Sequence, residues 1–167
     1  MAVVAVKSTT ITNRDATPKV LNQGRASGGM VKTYRDYVAI ANGDSVGSTY
    51  RVVAIPSNAV VVSVRVTSPD IGTTTISDVG LYQTTANGGA VVDADFFGSA
   101  VSLSGGAITK SEVMFESGVI TNANINKAIW DHLGLSADTN RDYDVTLTLT
   151  GAADAAGNVI VEVDVAV

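Results

Sequence analysis

The chain has 167 residues, 46% of them apolar and 16% charged, with a net charge of −5, a single histidine (His132) and no cysteine. That length fits one domain, large enough to bury roughly 70% of its unfolded surface without a covalent staple. Disulfides, thiolate metal sites, cysteine nucleophiles and metal sites needing two imidazoles are excluded, and the acidic total argues against a nucleic-acid binder that relies on phosphate neutralisation.

The first segment is unlike the rest. Residues 1–35 carry Lys7, Arg14, Lys19, Arg25, Lys32 and Arg35 against Asp15 alone, whereas the remaining residues carry five basic and fifteen acidic side chains. A basic arm therefore precedes an acidic body, and such an arm is expected to contact an acidic surface on its own body, a sister subunit or a partner. The arm lacks clean alternation and holds Thr17-Pro18 and Gly28-Gly29, so it is read as extended, with residues 1–35 as arm and 36–167 as the folded domain. Only residues 2–6 resemble a strand, one that could add to a sheet edge on another chain. The apolar run from Met1 to Val6 has no basic residue before it and is far shorter than the roughly 20 residues of a membrane span, so the chain reads as soluble and made in a cytoplasm.

After residue 36 the pattern is all-β. Valine, isoleucine and threonine make up about a third of the chain, the β-branched excess that suits pleated, half-buried surfaces. Candidate strands run over residues 37–41, 50–55, 59–67, 75–83, 100–103, 112–115, 145–150 and 159–165. Val60, Val62, Val64 and Val66 share one face with Ser63, Arg65 and Thr67 opposite, and Val159, Val161, Val163 and Val165 alternate with Glu162 and Asp164. Residues 50–55 and 59–67 form a pair joined by Pro56-Ser57-Asn58, and the last two strands are expected to form a hairpin over residues 151–158. Ile125, Ile129 and Leu133 recur every four residues with Gly134 following, which predicts one short helix. It holds Trp130, the only tryptophan, which, like Phe96 and Phe97, is expected to anchor a core or a subunit contact.

The motifs that could carry chemistry fail on context. Asp138, Asn140, Asp142 and Asp144 stand at alternate positions as in a calcium loop, but Tyr143 occupies the place of the turn glycine and Leu149 that of the bidentate glutamate. These residues are read instead as a polar loop entering a strand. Asp93 and Asp95 could pair as acid and base, yet nothing around them predicts a cleft. Gly43-Asp44-Ser45-Val46-Gly47 spells G-x-S-x-G, but a strand follows where the nucleophile elbow needs a helix. His132, the only base available to Ser45, has Asp131 beside it, and residues one apart on a helix do not face each other. No catalytic residue, metal or cofactor is expected. A carbohydrate-binding module, such as a tail or fibre accessory, is the alternative, because Tyr34, Tyr37, Tyr50, Tyr82 and Trp130 could offer stacking faces.

Residues 42–51 (NGDSVGSTYR), 55–59 (IPSNA), 78–97 (DVGLYQTTANGGAVVDADFF) and 133–144 (LGLSADTNRDYD) resemble the capsid decoration, or cement, proteins of tailed bacteriophages. The resemblance covers most of residues 37–165. It implies a jelly-roll-like antiparallel β-sandwich on the outside of a mature icosahedral shell, as a homodimer or homotrimer, stapling neighbouring copies of the major capsid protein. On that reading the arm is the contact element, with Val3, Val4 and Val6 offering a pairing edge and Lys7, Arg14, Lys19 and Arg25 meeting acidic shell surface, and neither nucleic acid nor membrane is a partner.

Overall fold

The computed structural model describes residues 4–26 and 28–167. Eight strands are present: β1 (Val31–Ile40), β2 (Thr49–Pro56), β3 (Val60–Ser68), β4 (Ile76–Gln83), β5 (Val91–Ser102), β6 (Ile108–Glu112), β7 (Asp142–Gly151) and β8 (Gly157–Ala166). Two short helices, α1 (Thr9–Asp15) and α2 (Ile129–His132), lie before the first strand and between β6 and β7. The strands form two four-stranded sheets, β1-β8-β3-β6 and β2-β7-β4-β5, with every pairing antiparallel. β1 pairs with β8, β2 with β7, β3 with β6 and β4 with β5, so the chain is one long hairpin rolled on itself. This is the jelly roll, and it agrees with the all-β sandwich expected from composition and alternation.

The core lies between the sheets because the period-2 pattern gives each strand one apolar face. Val64 and Val66 of β3, Val79 and Leu81 of β4, Val145, Leu147 and Leu149 of β7, and Val159, Val161 and Val163 of β8 are all fully buried. On the outer side of the first sheet, Glu162 of β8 takes Arg65 from β3 and Arg35 from β1 (3.6 Å), while Asp164 accepts from Arg65 at 2.6 Å and from Thr33 at 2.5 Å. The hydrophilic residues of the sequence pattern thus become a cross-strand charge row.

The pairings of consecutive strands differ from the sequence reading. β7 and β8 form no hairpin, and neither do β2 and β3, because each pair is divided between the two sheets. The 151–156 turn and the Pro56-Ser57-Asn58 turn carry the chain across the sandwich. Proline ends β2, and the Ser57 hydroxyl donates to the Asp138 carboxylate at 2.5 Å, fixing that corner.

Three further differences concern local structure. β1 begins at Val31, so it crosses the boundary between arm and body placed after residue 35. The predicted helix shrinks to the four residues of α2, with the preceding 121–127 segment closed by turns, the Asn124 side chain accepting from Thr121 N–H at 2.6 Å. β5 begins at Val91 rather than near residue 100. Its register with β4 explains why alternation hid it: Val79 pairs with Gly98 but Leu81 with Asp93, so two residues of β4 face five of β5. The excess forms a bulge, which breaks the two-residue period and lets adjacent Phe96 and Phe97 both be fully buried, edge to face at 4.9 Å. Gly80 makes room for it, since a Cβ there would lie 2.2 Å from the carbonyl oxygens of both Asp93 and Ala94.

Candidate functional site

The arm is folded locally rather than extended. Ser8 caps α1, its hydroxyl accepting from Ile11 N–H, and the chain then doubles back so that the Asn13 amide donates to Asn22 Oδ1 at 2.8 Å and Asn22 Nδ2 to Thr10 C=O. Val4 and Val6 form no strand, and Val3 lies outside the described residues. Lys7 and Arg14 both bond Asp15 at 2.8 Å, holding its carboxyl below its ordinary value, with Arg14 the larger influence. Two of the arm's cations thus converge on its one acid, while Lys19 makes no ion pair among the described residues. Arg25 reaches the body, where its charge helps to keep the Asp138 carboxyl ionised after the larger effects of the Ser57 and Asn140 hydrogen bonds.

Arm and body meet along the segment before α2. Gln23 and Arg25 line a cleft of about 290 Å³ with Asn124, Lys127, Trp130 and Asp131. Trp130 is half-buried and covers Val60 and Ala166 on the outer side of the first sheet, whereas Phe96 and Phe97 lie wholly inside the protomer. The arm also presents apolar side chains to solvent: Val6 is 88% exposed and Leu21 94%. A second cleft, about 270 Å³, opens beside Arg25 and is lined by Val60, Val62, Met114, Phe115 and Ile125. The alternation of residues 59–67 set Val60 and Val62 on one face with Val64 and Val66, but Val60 lies on the outer side under Trp130 and Val62 faces this cleft. It does so because the β3–β8 register shifts between Val61 and Ser63.

Ser45 and His132, the two residues of the G-x-S-x-G reading, fall at separate places. Ser45 lies in the turn between β1 and β2, where neighbouring Ser48 C=O accepts from Leu149 near the end of β7. His132 lines a cleft of about 420 Å³ with Tyr143 at the start of the same strand. Six residues of strand, roughly 20 Å, separate the two, so they form no nucleophile–base pair. Contrary to the sequence reading, Asp93 does line a cleft, this same one, between β4–β5 and α2. Burial and neighbouring Asp95 push its carboxyl up, and burial pushes the His132 imidazole down, so both are biased towards their neutral forms. Asp138 accepts from Ser57 and from Asn140 N–H, and Asp144 binds Arg51 at 2.6 Å, which makes this stretch the polar loop and strand entry read from sequence. Among the described residues, no three acidic, histidine or cysteine side chains cluster as metal ligands would.

The aromatics do not assemble into one platform. The Tyr50 hydroxyl donates to Asp44 at 2.5 Å, and burial together with that contact pushes its pKa up to about 12. Tyr82 is buried with its hydroxyl on Thr148, under the Arg51 guanidinium. Tyr37 is exposed opposite Ile160, six residues along β8 from the Ala166 that Trp130 covers, again roughly 20 Å away.

Among solved structures, the chain is similar to one in the cyanophage Pam1 capsid asymmetric unit, with a TM-score of 0.53 at 18% identity over 99% of both chains. It is also similar to a chain in the capsid of Ralstonia phage GP4, at 18% identity and TM-score 0.49, over 81% of this chain and 84% of that one. No protein-family model and no curated protein matches the sequence. The likeness to the Pam1 chain places the two in a common fold along their whole length.

Proposed function

We propose that this protein is a structural, non-enzymatic component of a tailed-phage virion, bound to the outer surface of the icosahedral capsid, where it staples neighbouring capsomers. The observation that carries the reading is the end-to-end match, arm and sandwich together, with a chain of a phage capsid. The arm supports it. Lys19, which makes no ion pair among the described residues, and the exposed Val4, Val6 and Leu21 suit an acidic, partly apolar surface elsewhere. The physical action is cohesive: each copy lowers the free energy of the closed shell by binding it, and a homo-oligomer gains effective concentration for its second contact. Production in a bacterial host and placement outside the shell belong to the same proposal.

The test is the copy number of the chain in purified virions, by quantitative mass spectrometry against the major capsid protein, followed by rebinding to stripped shells. A number comparable to the shell protein, with loss of rebinding when residues 1–19 are removed from a protein that still folds, is the expected result. A handful of copies per particle, or full rebinding by the truncated protein, overturns the cement role or the arm's part in it, respectively.

A further inference from the structure

Each sheet has two edges, and three of the four are blunted. β6 is five residues long, pairs with β3 through a register shift and holds Lys110 at φ 50°. β2 shifts register between Arg51 and Val53 and ends in proline, and β5 shifts three times and holds Ala100 at φ 55°. Bulges, short strands and proline are backbone devices that stop a sheet edge from pairing with another chain, and β1 has none of them, its ten residues pairing with β8 in unbroken register. Its guard is charge alone, in Lys32 and Asp36 on the inner side, and charges of opposite sign bar only those registers that set like against like.

The direction of its free backbone groups is fixed. Met30 C=O accepts from Val167 on the β8 side, while Tyr37 N–H is turned the other way and donates to its neighbour's carboxylate, Asp36 Oδ1, at 2.8 Å. With a period of two, the odd-numbered residues from 31 to 39 therefore direct N–H and C=O to the open edge. Side chains at 31, 33, 35 and 37 lie on the outer face, and those at 32, 34 and 36 on the inner one. Lys32 and Asp36 are exposed even so, because β1 lies at the rim of the sandwich, and neither makes an ion pair among the described residues.

We infer that β1 is the self-association edge, pairing antiparallel with β1 of a second copy about a two-fold axis through Tyr34. Side chains directly opposite must share a face, so the axis passes through a residue. An axis at Arg35 sets Arg35 against itself, and one at Asp36 sets Asp36 against itself, both repulsive. An axis at Tyr34 sets Lys32 against Asp36 twice, exposed Val31 against exposed Tyr37 twice, and Tyr34 against Tyr34. Odd residues exchange the backbone hydrogen bonds, and Asp36 leaves Tyr37 N–H for the Lys32 ammonium of the second copy. An isologous contact of this kind closes as a dimer and joins the β1-β8-β3-β6 sheets of the two copies into one of eight strands. The inference deepens the self-association within the proposed function. Because it is measured in solution without shells, failure of either leaves the other standing.

The experiment uses the full chain and five variants, the three charge variants read by sedimentation equilibrium and the two cysteine variants by cross-linking. The unmodified protein is expected to be a dimer, and Asp36→Lys and Lys32→Asp each to raise the dimer Kd roughly tenfold by opposing like charges. The double variant Lys32→Asp/Asp36→Lys should restore the dimer. Tyr34→Cys, in a chain with no other cysteine, should cross-link under mild oxidation, since facing residues of a pair not joined by backbone hydrogen bonds have Cα atoms about 4.5 Å apart. Val38→Cys should not. A monomer or trimer, a double variant as weak as the singles, or equal cross-linking at both positions overturns the inference.

Discussion

Gly80→Ala tests the link between the β5 bulge and the seating of the two phenylalanines. The added Cβ would stand 2.2 Å from the carbonyl oxygens of Asp93 and Ala94, well inside van der Waals contact. These are backbone atoms in the middle of a paired strand, so no side-chain rotation relieves them, and β5 must lift by about 1 Å from β4 to regain contact distance. That movement pulls on Phe96 and Phe97, whose carbonyls also accept from Ser117 Oγ and Ser117 N–H, so the β6–α2 segment shifts too. The cost belongs at the upper end of overpacking, about 3 kcal/mol, which for a domain of this size lowers Tm by about 6–12 °C. Gly24→Ala is the control, because a Cβ there meets nothing within 4 Å and the backbone φ is ordinary. Calorimetry of the two variants beside the parent protein measures the difference. A Gly80→Ala Tm within 2 °C of the parent would refute the argument that this glycine exists to admit the bulge.

Other substitutions probe the packing and the pH response. Phe97→Ala removes a fully buried ring and should cost about 3–5 kcal/mol by chemical denaturation. Trp130→Ala should cost clearly less, since its ring is only partly buried over Val60 and Ala166, and a larger loss there would contradict the packing described. Asp154 accepts from the Thr73 hydroxyl at 2.6 Å and from the Thr73 N–H at 2.9 Å, clamping the turn before β4 to the turn before β8, and these bonds hold its carboxyl down to about 2. A folded pKa below the unfolded one stabilises the protein above about pH 4, and that stability is lost as the pH falls from there to about 2. Thermal melts between pH 5 and pH 2 should therefore fall less steeply for Asp154→Asn than for the parent, and parallel slopes would show that the clamp does not titrate with folding.

Much of the sandwich was legible from sequence because alternation reports which face of a strand is dry. Val64 and Val66, or Val159 to Val165, could be assigned an inner face with no knowledge of their neighbours, and all are buried. Phe96 and Phe97 could not be placed so, since a bulge cancels the very period on which such reading depends. The arm's charge asymmetry was equally plain, but its helix was not, because seven residues with one capping serine carry too little periodicity to stand out. His132 and Asp93 sharing a cleft was invisible for a different reason: they come from a helix and a strand that only the fold brings together.

What the sequence determined by itself is therefore the class, the faces of the strands whose register is unbroken, and the split in charge between a basic leading segment and an acidic remainder. Which strand lies beside which was decided only by the tertiary structure. Backbone hydrogen bonding is the same for every strand, and an apolar face fits any other apolar face, so nothing local tells β8 to pair with β1, more than a hundred residues away, rather than with β7 across one turn. The choice falls to collective terms: corners such as Ser57 with Asp138, the Arg35–Glu162–Arg65 row that forms only when β8 lies between β1 and β3, and the closure of a core that two-stranded hairpins alone could not bury.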